Sequence, residues 1–141
     1  MKDDLVLRVI GKLLIPFILL FALYVQFHGD FGPGGGFQAG VIIAASIIFY
    51  ALIHGVGTTR RLVPDWLVET MLASGVLTYA GVGLAGLVLG GNFLDYFVLD
   101  HNAVHGQHRG IFWVEVGVAI TVSGVMLKIY YMFASRSGAE D

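Results

Sequence analysis

The sequence contains no cysteine among its 141 residues. A disulfide framework, thiolate metal sites and a cysteine nucleophile are therefore excluded. Charged residues are also scarce, at 13%, where a typical soluble domain has about 25%. The formal net charge is −2, so the chain offers no basic surface for the phosphate backbone of a nucleic acid. These shortages exclude a DNA-binding module.

Apolar residues are abundant instead, at 57% of the chain, and the mean hydropathy is +0.81. A small domain leaves much of its surface in water and could not hide so many apolar side chains. An ordinary soluble domain and a disordered chain are both excluded on this ground. We therefore expect an integral membrane protein.

Four apolar stretches are each long enough to cross a bilayer, since about 20 helical residues span its hydrocarbon core. Transmembrane strands would show alternating polarity, which the run 41–49 lacks. The sequence thus predicts an all-α, four-helix membrane bundle forming a single domain over residues 1–141. The predicted spans are residues 5–27, 37–57, 66–90 and 111–133, and the loops between them are 28–36, 58–65 and 91–110.

The basic residues indicate an orientation in the membrane. Four spans place both termini and the loop 58–65 on one side of the bilayer. Since cytoplasmic segments are enriched in Lys and Arg, we expect both termini in the cytoplasm of a protein of the cell membrane. The predicted cytoplasmic side carries every basic residue except Arg109, namely Lys2, Arg8, Lys12, Arg60, Arg61, Lys128 and Arg136.

Glycine is frequent, with 20 residues in the chain. Small residues four apart let helix backbones approach closely, and we expect such contacts on several sides, some of them with other chains. Glycine is common in membrane helices in any case, so a lipid-facing position is the alternative for each. The spacing occurs at Gly36 and Gly40, at Gly81 and Ala85, and at Gly86 and Gly90.

The segment from His28 to Gly40 reads HGDFGPGGGFQAG. Pro33 favours a turn, and the three glycines after it permit positive φ and close backbone approach. The second helix follows at once, and its first amides attract anions or acidic side chains. The Gly-Lys-Ser/Thr ending of a nucleotide loop is missing. A tight hairpin and an ion-lining or mobile turn both fit this pattern.

This segment resembles the signature of the MnhB-like family, the B-type subunits of the Mrp-type multisubunit Na⁺/H⁺ antiporter. Similar subunits occur in membrane-bound hydrogenase complexes. A second element, which opens the fourth span, reads Glu115-Val-Gly-Val. Ala39 departs from the glycine frequent in the family, and the histidine-rich stretch 100–108 departs as well. The matching positions of the signature are His28, Gly29, Pro33, Gly34, Gly35, Gly36, Phe37, Gln38 and Gly40.

The resemblance implies an accessory subunit in an assembly of six or seven different membrane subunits that exchange cytoplasmic Na⁺ for external protons. The larger subunits of that family carry the chief proton-handling residues. The resemblance thus implies a transporter subunit, without covalent chemistry or a cofactor, that packs between larger subunits and lines part of an ion route. Two alternatives stay open: a membrane subunit of a hydrogenase-type redox-driven ion pump, and a self-contained small ion transporter.

A charged residue within a span is expected to have a structural or functional role, because placing it at the centre of a membrane helix costs at least about 2.5–3.5 kcal/mol. Lys12 precedes Pro16, whose ring leaves the Lys12 carbonyl without its helical hydrogen bond. Lys12 is a candidate for the cytoplasmic mouth of an ion route, or it extends to the membrane surface. Glu115 is a candidate proton relay or Na⁺ ligand, or it is stabilised by the N-terminus of the fourth span, to which it belongs, or by Arg109. Glu69 is a weaker candidate for the ion route than Lys12 or Glu115, because acidic residues are favoured at the start of a helix for structural reasons.

The third loop holds three histidines, His101, His105 and His108. His101 and His105 are four apart, as a helical metal site would require. We expect Gly106 to interrupt any helix there, and no second cluster completes a set of ligands. The sequence therefore predicts no metal site, no catalytic residues and no enzyme.

Overall fold

The computed structural model describes residues 5–29 and 32–137, so Lys2 of the predicted cytoplasmic basic set lies outside it. All regular structure within these ranges is helical, and four of the helices are long and apolar enough to cross a membrane. This confirms the prediction of an all-α protein with four spans. The helices are α1 (Leu5–His28), α2 (Gly36–His54), α3 (Val56–Leu62), α4 (Asp65–Val88) and α5 (Ala103–Ser137), with a 3₁₀ turn at Tyr96–Leu99.

The fourth long helix, α5, begins well before the predicted residue 111. Asn102 caps it by accepting a hydrogen bond from the Val104 N–H at 3.1 Å. Contrary to the expectation from sequence, Gly106 does not interrupt the helix but lies buried within it against the carbonyl of Tyr96. At 1.5 Å per residue α5 is about 50 Å long, which exceeds the hydrocarbon core of about 30 Å. The helix is therefore longer than is needed to cross the membrane.

The 3₁₀ turn belongs to the loop before α5, and it packs this loop against α5. The ring of Tyr96 packs directly on Gly110, where a β-carbon would clash with it. Burial raises the pKa of the Tyr96 phenol above its ordinary value, and the nearby Tyr79 raises it further. Tyr96 is therefore uncharged at physiological pH.

The predicted loop 58–65 also contains a helix, α3. Gly55 separates it from α2 with φ of 89°, a left-handed conformation that glycine adopts without strain. Pro64 then sets the start of α4 because its fixed φ favours the N-terminus of a helix. The end of the molecule that carries α3 is called the α3 end below, and the opposite end, with the glycine-rich residues 29 and 32–36, is called the turn end.

The four long helices form an open row. Among the described residues α1 packs on α2, α2 on α5, and α5 on α4, while α1 and α4 do not close the row into a ring. The inner helices α2 and α5 run parallel and are the more buried pair, and the outer helices α1 and α4 expose most of their surface. Outer surface on both sides of the row is thus left for lipid or other proteins.

Small residues bring α2 and α5 into close contact. A β-carbon on Gly36 would clash with the carbonyl of Glu115, and one on Gly40 would lie 2.7 Å from the carbonyl oxygen of Ala119. The Ser123 hydroxyl lies 3.1 Å from the Gly40 carbonyl oxygen and 2.7 Å from that of Ala119. The spacing of Gly36 and Gly40 therefore serves a helix crossing within this chain.

Small residues also bring α4 and α5 into contact, but they are not the pairs with the four-residue spacing that the sequence suggested. A β-carbon on Gly75 would lie 2.7 Å from the carbonyl oxygen of Gly117 and would clash with the Thr121 hydroxyl. Gly81, by contrast, faces open space, with no atom within 4 Å of a β-carbon built there. Gly81 and Ala85 instead line a cavity of about 370 Å³, together with Leu99 and with Gly110 and Trp113 of α5.

Candidate functional site

The glycine-rich turn folds back on the end of α1. Gly35 has φ of 115°, which strains any residue with a side chain. Its N–H donates a hydrogen bond of 3.2 Å to the carbonyl of Val25. A β-carbon on Gly34 would lie 2.7 Å from the same carbonyl oxygen. The turn therefore packs its backbone directly against the last turns of α1.

The carboxylate of Glu115 fills the space that two glycines leave free. A β-carbon on Gly29 would lie 2.8 Å from Glu115 Oε2, and one on Gly35 would lie 2.9 Å from Glu115 Oε1. Glu115 itself is half-buried on α5. The structure thus joins the glycine-rich segment and the Glu115 element, which are about 80 residues apart in sequence, into one site.

The start of α2 adds a favourable electrostatic environment for this carboxylate. The first helical hydrogen bond of α2 runs from the Ala39 N–H to the Gly35 carbonyl at 3.1 Å. The three amides before Ala39 therefore point toward the turn, as they do at every helix N-terminus. The positive end of a helix dipole stabilises a nearby carboxylate by about 0.3–1 kcal/mol or more when partly buried.

Arg109, which the sequence suggested as a partner of Glu115, forms an ion pair with Asp100. Its Nη1 lies 3.0 Å from Asp100 Oδ2, so the guanidinium is held in the loop before α5. The N-terminus of Glu115's own helix does not stabilise it, because α5 begins at Ala103, more than three turns before Glu115. The helix N-terminus beside the carboxylate is that of α2.

Gln26 is a polar residue of this region that sequence reasoning missed. It is only 7% exposed, and neither its amide oxygen nor its amide nitrogen has a hydrogen-bond partner within the described part of the chain. Leaving buried polar groups unsatisfied costs about 1–3 kcal/mol each. Gln26 lies in the last turn of α1, three residues before Gly29. A glutamine within an apolar span next to the signature was the signal available in the sequence.

The larger side chains of the signature lie in or beside the turn. The ring of His28 is stacked on that of Tyr24, with 5.2 Å between the centroids. Pro33, Phe37 and Gln38 are exposed. The signature therefore contains glycines that fit the backbone together, His28 packed beside Gly32, and exposed residues that face the surroundings of this chain.

Lys12 and Glu69 do not join this site. Lys12 is exposed on α1, and at 1.5 Å per residue it lies about 25 Å along the helix from Gly29. Glu69 forms an ion pair with Lys128, whose Nζ lies 2.6 Å from Glu69 Oε1. Both lie toward the α3 end, so the three ion-pathway candidates occupy separate places. Sequence reasoning missed the pairing of Lys128 because the partners come from two helices.

The histidines of the third loop lie in two different elements. His101 precedes α5, whereas His105 and His108 lie within it, and all three are exposed. Within residues 5–29 and 32–137 no three histidine, aspartate or glutamate side chains come together in a group that could hold a metal.

Comparison with known proteins gives a consistent result. A family model described as "Domain related to MnhB subunit of Na+/H+ antiporter" matches residues 6–128. The B-type subunit of the Na⁺/H⁺ antiporter of Bacillus subtilis (strain 168) is 31% identical over 133 residues, covering 85% of this chain and 90% of that protein. The corresponding subunit from Alkalihalophilus pseudofirmus is 27% identical over 131 residues, covering 86% and 90%. The "Putative antiporter subunit mnhB2" of Staphylococcus haemolyticus is 28% identical, covering 91% and 92%.

Proposed function

Since this chain belongs to the family related to the MnhB subunit of the Na⁺/H⁺ antiporter, we propose that it is the accessory B-type subunit of a multisubunit Na⁺/H⁺ antiporter. It is a multi-pass protein of the cell membrane and not an enzyme. The observation that carries the proposal is the contact of Glu115 with Gly29 and Gly35. This contact unites the two sequence elements on which the family resemblance rests.

Packing between larger subunits is the first part of this function. The open row exposes both outer helices, α1 and α4. Gly81 and Ala85 line a cavity of about 370 Å³ beside α4, and no atom lies within 4 Å of a β-carbon built on Gly81. Small residues at this spacing favour the approach of another helix. These features support a role that is complete only in the assembly.

Lining an ion route is the second part, and we assign it to Glu115. The carboxylate lies level with the first turn of α2, close to one edge of the membrane-spanning region. Carboxylate oxygens suit both proton relay and the binding of a hard cation such as Na⁺. The amide of Gln26, three residues before Gly29, adds a second polar group on this side of the molecule. Pro33, Phe37 and Gln38 face outward, where a neighbouring subunit meets the turn.

Lys12 is proposed as part of an ion route at the opposite end of the molecule from Glu115. With both termini in the cytoplasm, it lies toward the cytoplasmic side, exposed on the outer surface of α1. A partner subunit that supplies an acidic group there would make it part of a route. The Lys12→Ala variant then lowers exchange, whereas unchanged exchange and assembly would assign Lys12 to the membrane surface. Glu69 has its charge balanced by Lys128, and we assign it a structural role.

The proposal has three further parts. The complex contains six or seven different subunits, it exchanges Na⁺ for H⁺, and both termini of this chain lie in the cytoplasm. The names of the relatives favour the antiporter over a hydrogenase-type redox pump. A self-contained transporter has less support, because the open row leaves so much of α1 and α4 uncovered.

Purification through a tag on this chain in mild detergent tests the proposal. We expect several unlike membrane proteins to accompany the chain and no iron–sulfur proteins. Reconstituted alone in liposomes, the chain should exchange no Na⁺ for protons. Recovery of hydrogenase-like partners, or exchange by the chain alone, would overturn the proposal.

A further inference from the structure

A cavity of about 820 Å³ lies at the α3 end, between the start of α4 and the last turns of α5. It is distant from the Glu115 site, which lies at the turn end. One part of its wall is charged and another part is apolar. The charged lining consists of Arg60, Asp65, Glu69, Lys128 and Arg136, and the apolar lining includes Ile129, Met132 and Phe133.

The charges of this cavity leave one positive charge in excess. Arg60 Nε lies 3.8 Å from Asp65 Oδ2, and Lys128 Nζ lies 2.6 Å from Glu69 Oε1. Among the described residues no carboxylate pairs with the third cation, Arg136. The excess matches the single negative charge of a phosphodiester.

The guanidinium of Arg60 is fixed in place before any ligand binds. It donates hydrogen bonds to the carbonyl of Tyr131 at 3.1 Å and to the Ser135 hydroxyl at 2.7 Å. It also lies over the ring of Tyr131, 5.0 Å from its centroid, and the Tyr131 hydroxyl donates to the Val63 carbonyl at 2.9 Å. A cation held in this way loses little side-chain freedom when it meets an anion.

The cavity lies at the ends of two helices that are long and apolar enough to cross a membrane, and lipid headgroups surround the ends of such helices. The membrane-spanning stretches of α4 and α5 reach Asp65 and Arg136 respectively, and both residues line the cavity. Trp66, 66% exposed, is of the type enriched at the membrane–water interface. Met132 and Phe133 are exposed beside the charged wall and suit an acyl chain.

We propose that this cavity binds the headgroup of an anionic phospholipid, with its phosphodiester at Arg60 and Arg136 and an acyl chain along Met132 and Phe133. Basic pockets between membrane helices bind such headgroups in general. A free phosphate ion would share the charge but would leave the apolar wall unused. The site requires only that the chain is embedded in a membrane, so it stands independently of the proposed antiport function.

Quenching of tryptophan fluorescence by brominated lipids tests this site in the full chain. The chain contains two tryptophans, and the Trp113→Phe variant retains Trp66, next to the cavity residue Asp65. This variant is placed in phosphatidylcholine vesicles that contain either brominated phosphatidylglycerol or brominated phosphatidylcholine. We expect phosphatidylglycerol to associate near Trp66 about fivefold more strongly, which corresponds to about 1 kcal/mol for one basic side chain.

Two further variants and one competitor identify the ligand. Arg136→Gln should abolish the preference for phosphatidylglycerol. Arg61→Gln, which removes an equal charge from the same end but outside the cavity, should retain it. Equal quenching by both lipids, or an equal effect of the two substitutions, would overturn the proposal. Displacement by soluble glycerol phosphate would assign the cavity to a free phosphate ester, and loss of quenching in the assembled complex would assign it to a partner subunit.

Discussion

The carboxylate of Glu115 lies so close to Gly35 that a β-carbon on this glycine would be 2.9 Å from Glu115 Oε1. Gly35 is therefore constrained twice, by its φ of 115° and by the side chain that occupies the space beside it. The turn, the start of α2 and α5 are held together at this one point. The predictions below follow from this arrangement and from the open row of helices.

Gly35→Ala should destabilise the chain through both constraints. The combination of φ 115° and ψ −178° lies in a region that essentially only glycine adopts, which costs other residues about 1–3 kcal/mol, and the contact with Glu115 adds to this cost. Gly55→Ala is the matched control, because Gly55 also has a positive φ, of 89°, but faces open space. Thermal stability in detergent, measured by fluorescence size-exclusion chromatography, should fall more for Gly35→Ala. Equal losses would show that Glu115 does not press on the turn.

Gly81→Leu should separate assembly from folding. No atom lies within 4 Å of a β-carbon on Gly81, so the isolated chain should keep its thermal stability. If a helix of another subunit packs on Gly81 and Ala85, the larger side chain should reduce the recovery of partner subunits several-fold. Gly57→Leu, at another open glycine, should leave recovery unchanged. Full recovery of partners with Gly81→Leu would remove this face from the interface.

The hydropathy of the sequence was sufficient to predict four membrane helices, because about 20 apolar residues in succession have few other uses. The start of α5 was missed, since residues 103–110 are too polar to read as a span. They are helical because Asn102 caps them and Gly106 packs on Tyr96. The Asn102 cap was a readable signal.

The site could be predicted only in part. The glycine-rich segment and Glu115 each stood out, the first by its local pattern and the second as a charge in an apolar stretch. Their contact depends on how α2 crosses α5 at Gly36, which no local pattern specifies. The pairing of Glu69 with Lys128 escaped prediction for the same reason.

Glu69→Gln should have a small effect on stability. The side chains of Lys128 and Glu69 are 33% and 62% exposed, and exposed ion pairs contribute about 0–1 kcal/mol. We expect a shift of only a few degrees in the thermal unfolding of the complex and no change in exchange. Raising the salt concentration should shrink the difference from the parent protein, because salt screens exposed charges. A loss of exchange with intact assembly would move Glu69 into the ion route.

The most direct measurement is Na⁺-dependent proton movement in membrane vesicles that carry the whole complex with Glu115→Gln in this chain. The substitution keeps the size of the side chain and removes only its charge, and Glu69→Gln is the matched control. The account predicts that all subunits stay together while exchange falls by about tenfold or more, as for the loss of a proton-transfer group. Undiminished exchange in an intact complex would contradict it.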